Sequence, residues 1–405
     1  MKHRVDALAV FLRDVGLGFS NHVKRPVELA IKIDLYYNLK TLFDLRRHPT
    51  WRRPDGRPLL SMGRRADLDS WRREREHMRR HGAYLQFVQR HVVAVVAHEN
   101  ATEETVHDVD FIAHHIMSTE ESVLAVSAVI PDEDPDQFYA IVPLLADSGP
   151  SMSSPLTLNN LSEAAVGHPA MLAYQDFLFV EVESSDLAAY ITWELVRCLG
   201  PLADQRLSYG TSEASCFEAV YRLMPYPSVL PYMEELDSYS GWEEAELIFR
   251  DVSEAMVSFM KKQGIVLRTT EASFRLRLPT ASQLDAFYEE LQVEDDNDET
   301  SAQADVEERP FLHAYLASLS QIRSKELFSI VHADAFYPVP PPRSRQVQVT
   351  QDGESRVPLT WLLPPRFGAH VPPALNYGGF GLELAAALPR GVPLTASWLE
   401  CLERL

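Results

Sequence analysis

The sequence predicts a mainly α-helical protein with a small β element near its C-terminus. The chain has 405 residues, of which 46% are hydrophobic and 24% are charged, a composition typical of a globular protein with a buried core. Apolar residues recur at helical spacing along most of the chain. Strand signals are concentrated after residue 330, where Asp352-Gly353 is a strong indicator of a tight hairpin turn.

The predicted helices share apolar or aromatic residues three or four positions apart, as in Leu29, Ile33 and Tyr36. An interruption is expected at His81-Gly82, because glycine is a poor helix former. A further helix is expected to start at Thr102, where Glu103 and Glu104 give an acidic first turn. The other predicted helices span 27–45, 67–96, 187–199, 216–223, 243–260 and 310–330.

The predicted strands lie at 332–337, 346–351 and 356–361, and the last two form a hairpin. The acidic run 294–299 is interpreted as a solvated loop, because it lacks the spacing and the turn glycine of a calcium-binding EF-hand. The run from Pro338 to Arg343 fits a polyproline ligand for an SH3 domain, although a loop is the preferred interpretation.

The charge of the chain argues against nucleic acid as a partner. The formal net charge is −20, and the arginine pairs of the first 100 residues alternate with acidic residues, as on solvated helices. No secretory signal and no membrane-spanning run is visible in the sequence. The three cysteines allow one disulfide at most. These observations do not indicate in which cellular compartment the protein resides.

One side-chain group could bind a metal ion. His107, Asp110 and His114 would lie on one side of a helix, with His115 adjacent. A polar helix face is the preferred interpretation, because no fourth partner is identifiable.

Three motifs follow one another near the C-terminus. Asp334-Ala335-Phe336-Tyr337 is followed by Leu362-Leu363-Pro364-Pro365-Arg366-Phe367 and then by Asn376-Tyr377-Gly378-Gly379-Phe380-Gly381. In this order they resemble the segments that lead to the zinc-binding helix in the neprilysin and endothelin-converting-enzyme family of zinc metallopeptidases. The resemblance implies a helical N-terminal region over residues 1–328 and the incomplete start of a metallopeptidase catalytic domain over residues 329–405.

The resemblance ends at the residues that carry the chemistry of the family. Ala386 stands in the place of the first zinc-binding histidine, Ala387 in that of the catalytic glutamate, and Arg390 in that of the second histidine. Pro389 is expected to end the helix at Leu388. We therefore predict no catalytic residue, no metal ligand and no cofactor, where the family would bind one zinc ion.

The resemblance also implies that the strand containing Asp334 and Ala335 pairs with a peptide backbone, although an ordinary edge strand is the alternative. Three hypotheses follow. The protein is an inactive pseudopeptidase that binds a peptide or a protein partner, a truncated gene product with no independent activity, or a fragment of an active metallopeptidase. Truncation is further expected to leave the apolar face with Leu382, Leu384 and Leu388 exposed.

Overall fold

The computed structural model describes a set of segments that form two compact units. The first unit comprises Met1–Ala219 together with Ala302–Ala335, and the second comprises Val220–Ser301 together with Phe336–Leu405. The expected boundary between residues 328 and 329 rests on family resemblance and stays a prediction. The described residues are 2–19, 23–52, 58–97, 108–131, 139–144, 163–208, 217, 219–221, 223, 241–262, 275–277, 311–332, 347–349, 354–368 and 371–391.

The described part of the chain is mainly helical, as the sequence predicts. Its α-helices are α1 (Lys2–Asp14), α2 (Pro26–Tyr37), α3 (Leu68–Arg80), α4 (Tyr84–Val96), α5 (Val109–Ser127), α6 (Pro169–Asp176), α7 (Ser184–Ala203), α8 (Gly241–Lys262), α9 (Phe311–His332), α10 (Pro373–Asn376) and α11 (Leu382–Ala387). Short 3₁₀ turns span Gln205–Leu207, Leu359–Leu362 and Leu388–Gly391, and π turns span Phe177–Glu181 and Tyr377–Gly381. No helix among the described residues is long and apolar enough to cross a membrane.

Several helix boundaries have visible local causes. The interruption at His81-Gly82 is confirmed, because Gly82 adopts a φ of 67° that separates α3 from α4. Helix α2 ends eight residues before the predicted end at Leu45. Asn38 takes a left-handed φ of 52° after it, and its backbone N–H donates to Asp34 O.

A four-stranded sheet in the first unit was not predicted. It contains β1 (Asp44–Arg52), β2 (Pro58–Gly63), β3 (Ala140–Pro143) and β4 (Glu163–Val166) in the order β1-β2-β4-β3. Within this sheet β2 and β4 run parallel, with Leu60 opposite Ala164, and the other two neighbouring pairs are antiparallel. The sequence placed its strand signals late in the chain and gave none for this sheet. Strand β1 has the sequence DLRRHPTWR, which shows neither apolar alternation nor β-branched enrichment.

The predicted hairpin is present in the second unit. Strands β6 (Gln348–Val349) and β7 (Glu354–Arg356) are antiparallel, with Gln348 opposite Arg356. The second strand ends earlier than predicted, because a 3₁₀ turn begins at Leu359 directly after Pro358. A third strand, β5 (Arg275–Arg277), runs parallel to β7 and was not predicted.

Candidate functional site

The segment that resembles the zinc-binding helix forms a continuous helical stretch over residues 373–391, here named the motif helix. It begins as α10, widens to the π turn Tyr377–Gly381, continues as α11 and ends in the 3₁₀ turn Leu388–Gly391. Pro373 stands in the first turn, where a missing backbone N–H does no harm. The residues 363–368 that precede it are named the motif loop.

Asn376 connects the motif helix to both the motif loop and α8. Its side chain is buried, and its Oδ1 accepts from the backbone N–H of Gly368 at 3.0 Å. Its Nδ2 donates to the carbonyl oxygen of Gly368 at 2.9 Å and to Oε1 of Glu244 at 2.9 Å. An amide can donate and accept at once, which neither a carboxylate nor an apolar side chain can do. The asparagine of the motif therefore has a structural role.

Gly379 allows the motif loop to touch the backbone of the motif helix. A Cβ atom at this position would lie 2.4 Å from the carbonyl oxygen of Arg366. The same oxygen accepts from the backbone N–H of Phe380 at 3.0 Å. The ring of Phe380 packs edge-on against Phe367, with 5.6 Å between ring centroids. Only glycine has the space for this approach.

Two further motif residues contact α8. The hydroxyl of Tyr377 donates to the carboxylate of Asp251, and this hydrogen bond raises the pKa of the tyrosine. A Cβ atom at Gly381 would already be in contact with Ile248, at 3.4 Å from its Cγ2. The motif therefore fixes the helix against α8 as well as against its own loop.

The inner face of the motif helix is part of a hydrophobic core. Phe380, Leu384 and Leu388 are fully buried and pack with residues of α8 that include Ile248 and Phe249. The expectation that Leu384 and Leu388 are exposed is therefore wrong. They stand four residues apart on the face that points to α8, whereas Leu382 lies on the other side of the helix and is 67% exposed.

The three positions that correspond to the zinc motif do not share one regular α-helical turn. Ala386 is exposed, Ala387 is buried in the core, and Arg390 follows in the 3₁₀ turn. The α winding ends at Ala387, one residue before the predicted end at Leu388. A 3₁₀ helix turns by about 120° per residue and an α-helix by about 100°. Positions 386 and 390 are therefore separated by about 80° around the axis, instead of about 40°.

The residues present here do not fit a zinc ion. Alanine has no donor atom, and a catalytic zinc needs three protein ligands. Glu383 is the carboxylate of the motif helix, and its Oε1 lies 3.9 Å from Nε of Arg366. No group of three or more histidine, cysteine, aspartate or glutamate residues suited to a metal occurs among the described residues.

Several predicted site residues lie outside the described residues. Asp334 and Ala335, predicted to pair with a peptide, are among them, as are His107, the proline-rich run 338–343 and the acidic run 294–299. Of the possible metal group, Nδ1 of His114 lies 2.6 Å from the backbone oxygen of Asp110. These predictions therefore stay predictions.

Sequence reasoning missed the partners of the motif. Glu244 and Asp251 on α8 contact Asn376 and Tyr377, which are 132 and 126 residues away in the sequence. The available signal was their spacing, because residues seven apart lie on the same face of a helix. Spacing alone did not indicate which segment that face would contact.

Comparison with known proteins shows similarity of fold. No protein-family model matches the sequence, and no curated protein does. Zinc metalloprotease Zmp1 of Mycobacterium tuberculosis, in complex with an inhibitor, matches 96% of this chain with a TM-score of 0.56 and 14% identity. The Haemonchus galactose containing glycoprotein complex matches 89% with a TM-score of 0.52 and 16% identity. The chain covers 61% and 56% of those two chains. The fold is therefore zinc metallopeptidase-like.

Proposed function

We propose that this protein is a neprilysin-type relative of the zinc metallopeptidases that binds a peptide or a protein partner without hydrolysing it. The observation that carries this proposal is the contrast within the motif helix. Asn376 and Gly379 make the contacts that position the helix, while alanine stands at two of the three positions that would supply the zinc ligands and the catalytic base.

The chemistry of these positions supports the loss of hydrolysis. In metallopeptidases of this type a glutamate activates a water molecule that zinc polarises. Alanine at 386 and 387 can neither bind the metal nor take up a proton. Arg390 brings a permanent positive charge to the position of the second metal ligand. We therefore propose that the chain has no zinc and no peptidase activity of its own.

Peptide binding is proposed at the strand that contains Asp334 and Ala335. Pairing of an added strand uses backbone N–H and C=O groups, so it tolerates changes of side chain. The family that this motif resembles has asparagine at the position of Asp334. An ionised aspartate accepts hydrogen bonds but donates none, whereas an asparagine does both. Binding at this place is therefore expected to be weaker than in a relative with asparagine there.

Metal analysis of the purified chain tests the first part of the proposal. After dialysis with and without added zinc, the bound zinc is measured by inductively coupled plasma mass spectrometry, and hydrolysis is followed with a library of quenched fluorescent peptides. We expect less than stoichiometric zinc and no hydrolysis that a chelator suppresses. Equimolar zinc that survives dialysis, and is lost on substitution near residue 386, would contradict the proposal.

Substitution of the proposed binding strand tests the second part. Ala335→Pro removes a backbone N–H and is expected to abolish binding of peptides recovered from a library screen, whereas Asp334→Ala is expected to reduce it only partly. Equal loss in both variants would indicate side-chain recognition and not strand pairing. If no peptide binds the unchanged protein, the remaining hypotheses of a protein partner or of a product without activity are favoured.

A further inference from the structure

The turn that connects α6 to α7 presents two adjacent apolar side chains at the surface. Phe179 is 58% exposed and Val180 is 81% exposed. The preceding residue, Leu178, is fully buried. The backbone N–H of Val182 donates to the oxygen of Phe177 at 3.2 Å and closes the π turn Phe177–Glu181. The hydrogen-bonded backbone of the turn therefore presents both apolar side chains at the surface.

Four carboxylates flank this apolar pair in the sequence. Asp176, Glu181, Glu183 and Asp186 lie within residues 176–186, here named the acidic turn, and this stretch contains no lysine, arginine or histidine. Three of the four are exposed. The acidic turn therefore combines apolar anchors with a strong local negative charge.

The last residue of the acidic turn contacts the neighbouring helix α5. Oδ1 of Asp186 lies 3.4 Å from Nδ1 of His115. The ring of His115 packs against Phe111 in a tilted contact, with 4.3 Å between the ring centroids and 51° between the ring planes, and Phe111 is 64% exposed. A second exposed aromatic ring thus adjoins the carboxylate at the end of the acidic turn.

We propose that the acidic turn is a docking site for a basic amphipathic segment of a partner protein. A backbone turn already closed by its own hydrogen bond loses little entropy on binding, and the exposed apolar side chains on it can act as anchors. Carboxylates around them attract lysine and arginine and repel acidic partners. A membrane with anionic lipids and a second copy of this chain, whose net charge is −20, are both disfavoured by the same charges.

A pair of synthetic peptides tests the chemistry of the partner. A fluorescein-labelled amphipathic peptide of leucine and lysine is titrated with the full chain and followed by fluorescence anisotropy. A serine–lysine peptide of equal charge and a leucine–glutamate peptide are titrated in the same way. We expect the leucine–lysine peptide to bind most tightly and to weaken as salt is added. Equal binding of the leucine–glutamate peptide would overturn the proposal.

Substitutions locate the binding on the surface, because a chain of this charge attracts cations in general. Phe179→Ser combined with Val180→Ser is expected to weaken binding of the leucine–lysine peptide at least about tenfold, as apolar burial is lost. Glu181→Gln combined with Glu183→Gln is expected to weaken binding and to reduce its dependence on salt. Phe259→Ser is the control. Phe259 is 54% exposed, like Phe179, but it stands next to the basic residues Lys261 and Lys262 and not among carboxylates.

Three outcomes would overturn the proposal. The first is unchanged binding of the leucine–lysine peptide in the Phe179/Val180 variant. The second is an equal loss in the Phe259→Ser control, which would indicate a nonspecific effect. The third is binding to phosphatidylcholine vesicles that depends on Phe179 in the absence of peptide binding, which would assign the turn to a lipid surface.

Discussion

Gly378 and Gly379 are neighbours in the motif helix, but their surroundings differ. A Cβ atom at Gly379 would meet the backbone oxygen of Arg366 at 2.4 Å, whereas a Cβ atom at Gly378 would have no neighbour within 4 Å among the described residues beyond its own helical turn. The first glycine position is therefore open, and the second is closed by another part of the backbone. A sequence motif of two glycines does not reveal this difference, because it depends on the path of the motif loop.

Alanine substitution of each glycine is expected to give opposite results. Gly379→Ala forces the loop and the helix apart and should lower the free energy of unfolding by about 1–3 kcal/mol. Gly378→Ala should leave it unchanged or raise it by up to about 1 kcal/mol, because alanine is the better helix former. Urea denaturation of both variants provides the measurement. A similar loss in both would show that the contact with Arg366 has no influence on stability.

Asn376 allows a second test at the scale of one side chain. Asn376→Asp replaces two N–H donors by an oxygen beside the carbonyl of Gly368 and the carboxylate of Glu244. We expect a loss of about 3 kcal/mol in the free energy of unfolding at neutral pH, as for an unpaired buried charge. Burial and Glu244 raise the pKa of the new carboxyl group, so the loss should shrink as the pH falls. The unfolding midpoints in urea at two pH values measure this, and a loss that grows with acidification would contradict it.

The elements themselves were predictable to different degrees. Helices α7, α8 and α9 have apolar residues at regular helical spacing, and the sequence predicts each of them within a few residues of its ends. Strand β1 and the parallel pairing of β5 with β7 were missed, because β1 is rich in arginine and β5 is only three residues long. The motif helix was recognised from its resemblance, but its change to 3₁₀ winding at Leu388 depends on Pro389.

The shape of the motif helix predicts that a simple transplant of the zinc motif gives a poor metal site. The variant Ala386→His/Ala387→Glu/Arg390→His has one histidine in the α-helical part and the other in the 3₁₀ turn. Its glutamate replaces a buried alanine, which is unfavourable for a charged group. Adding Pro389→Ala should restore α winding and bring the histidines one turn apart. We expect zinc to bind the fourfold variant at least about tenfold more tightly than the threefold one. Isothermal titration with zinc measures both affinities, and equal affinities would show that winding does not limit the site.

At the scale of the whole molecule, the first unit is built from two separate stretches of chain. Helix α9 follows residues of the second unit in sequence but packs against α2 in the first. Arg323 on α9 donates to Oδ1 of Asp34 at 3.1 Å and to the backbone oxygen of Leu45 at 2.6 Å. The partners are nearly 300 residues apart in the sequence, and no local pattern links them, so this contact could not be predicted. Asp34 is buried, and a buried carboxylate requires partners, but its burial is visible only in the structure.

Asp34 is expected to make the stability of this unit depend on pH. Its pKa is raised to about 6, because burial outweighs the attraction of Arg323 and Lys40 and the hydrogen bond from the backbone N–H of Leu45. The neighbouring Asp44 raises it further. A carboxyl group with a higher pKa in the folded state binds a proton more readily there than in the unfolded chain. Its contribution therefore favours folding at low pH and is lost as the pH rises through about 6.

Comparison with Asp34→Asn isolates this contribution from all other titrating groups. Between pH 7 and pH 4 the unchanged protein should gain about 2 kcal/mol of stability relative to the variant, because most of the effect of a pKa difference of about two units is reached by pH 4. Urea denaturation at several pH values gives both curves. Asp204→Asn should show the opposite sign, because the hydrogen bond from Arg206 lowers the pKa of Asp204. If the difference between the unchanged protein and Asp34→Asn does not vary with pH, Asp34 keeps an ordinary pKa and its pairing with Arg323 fully offsets the cost of burying it.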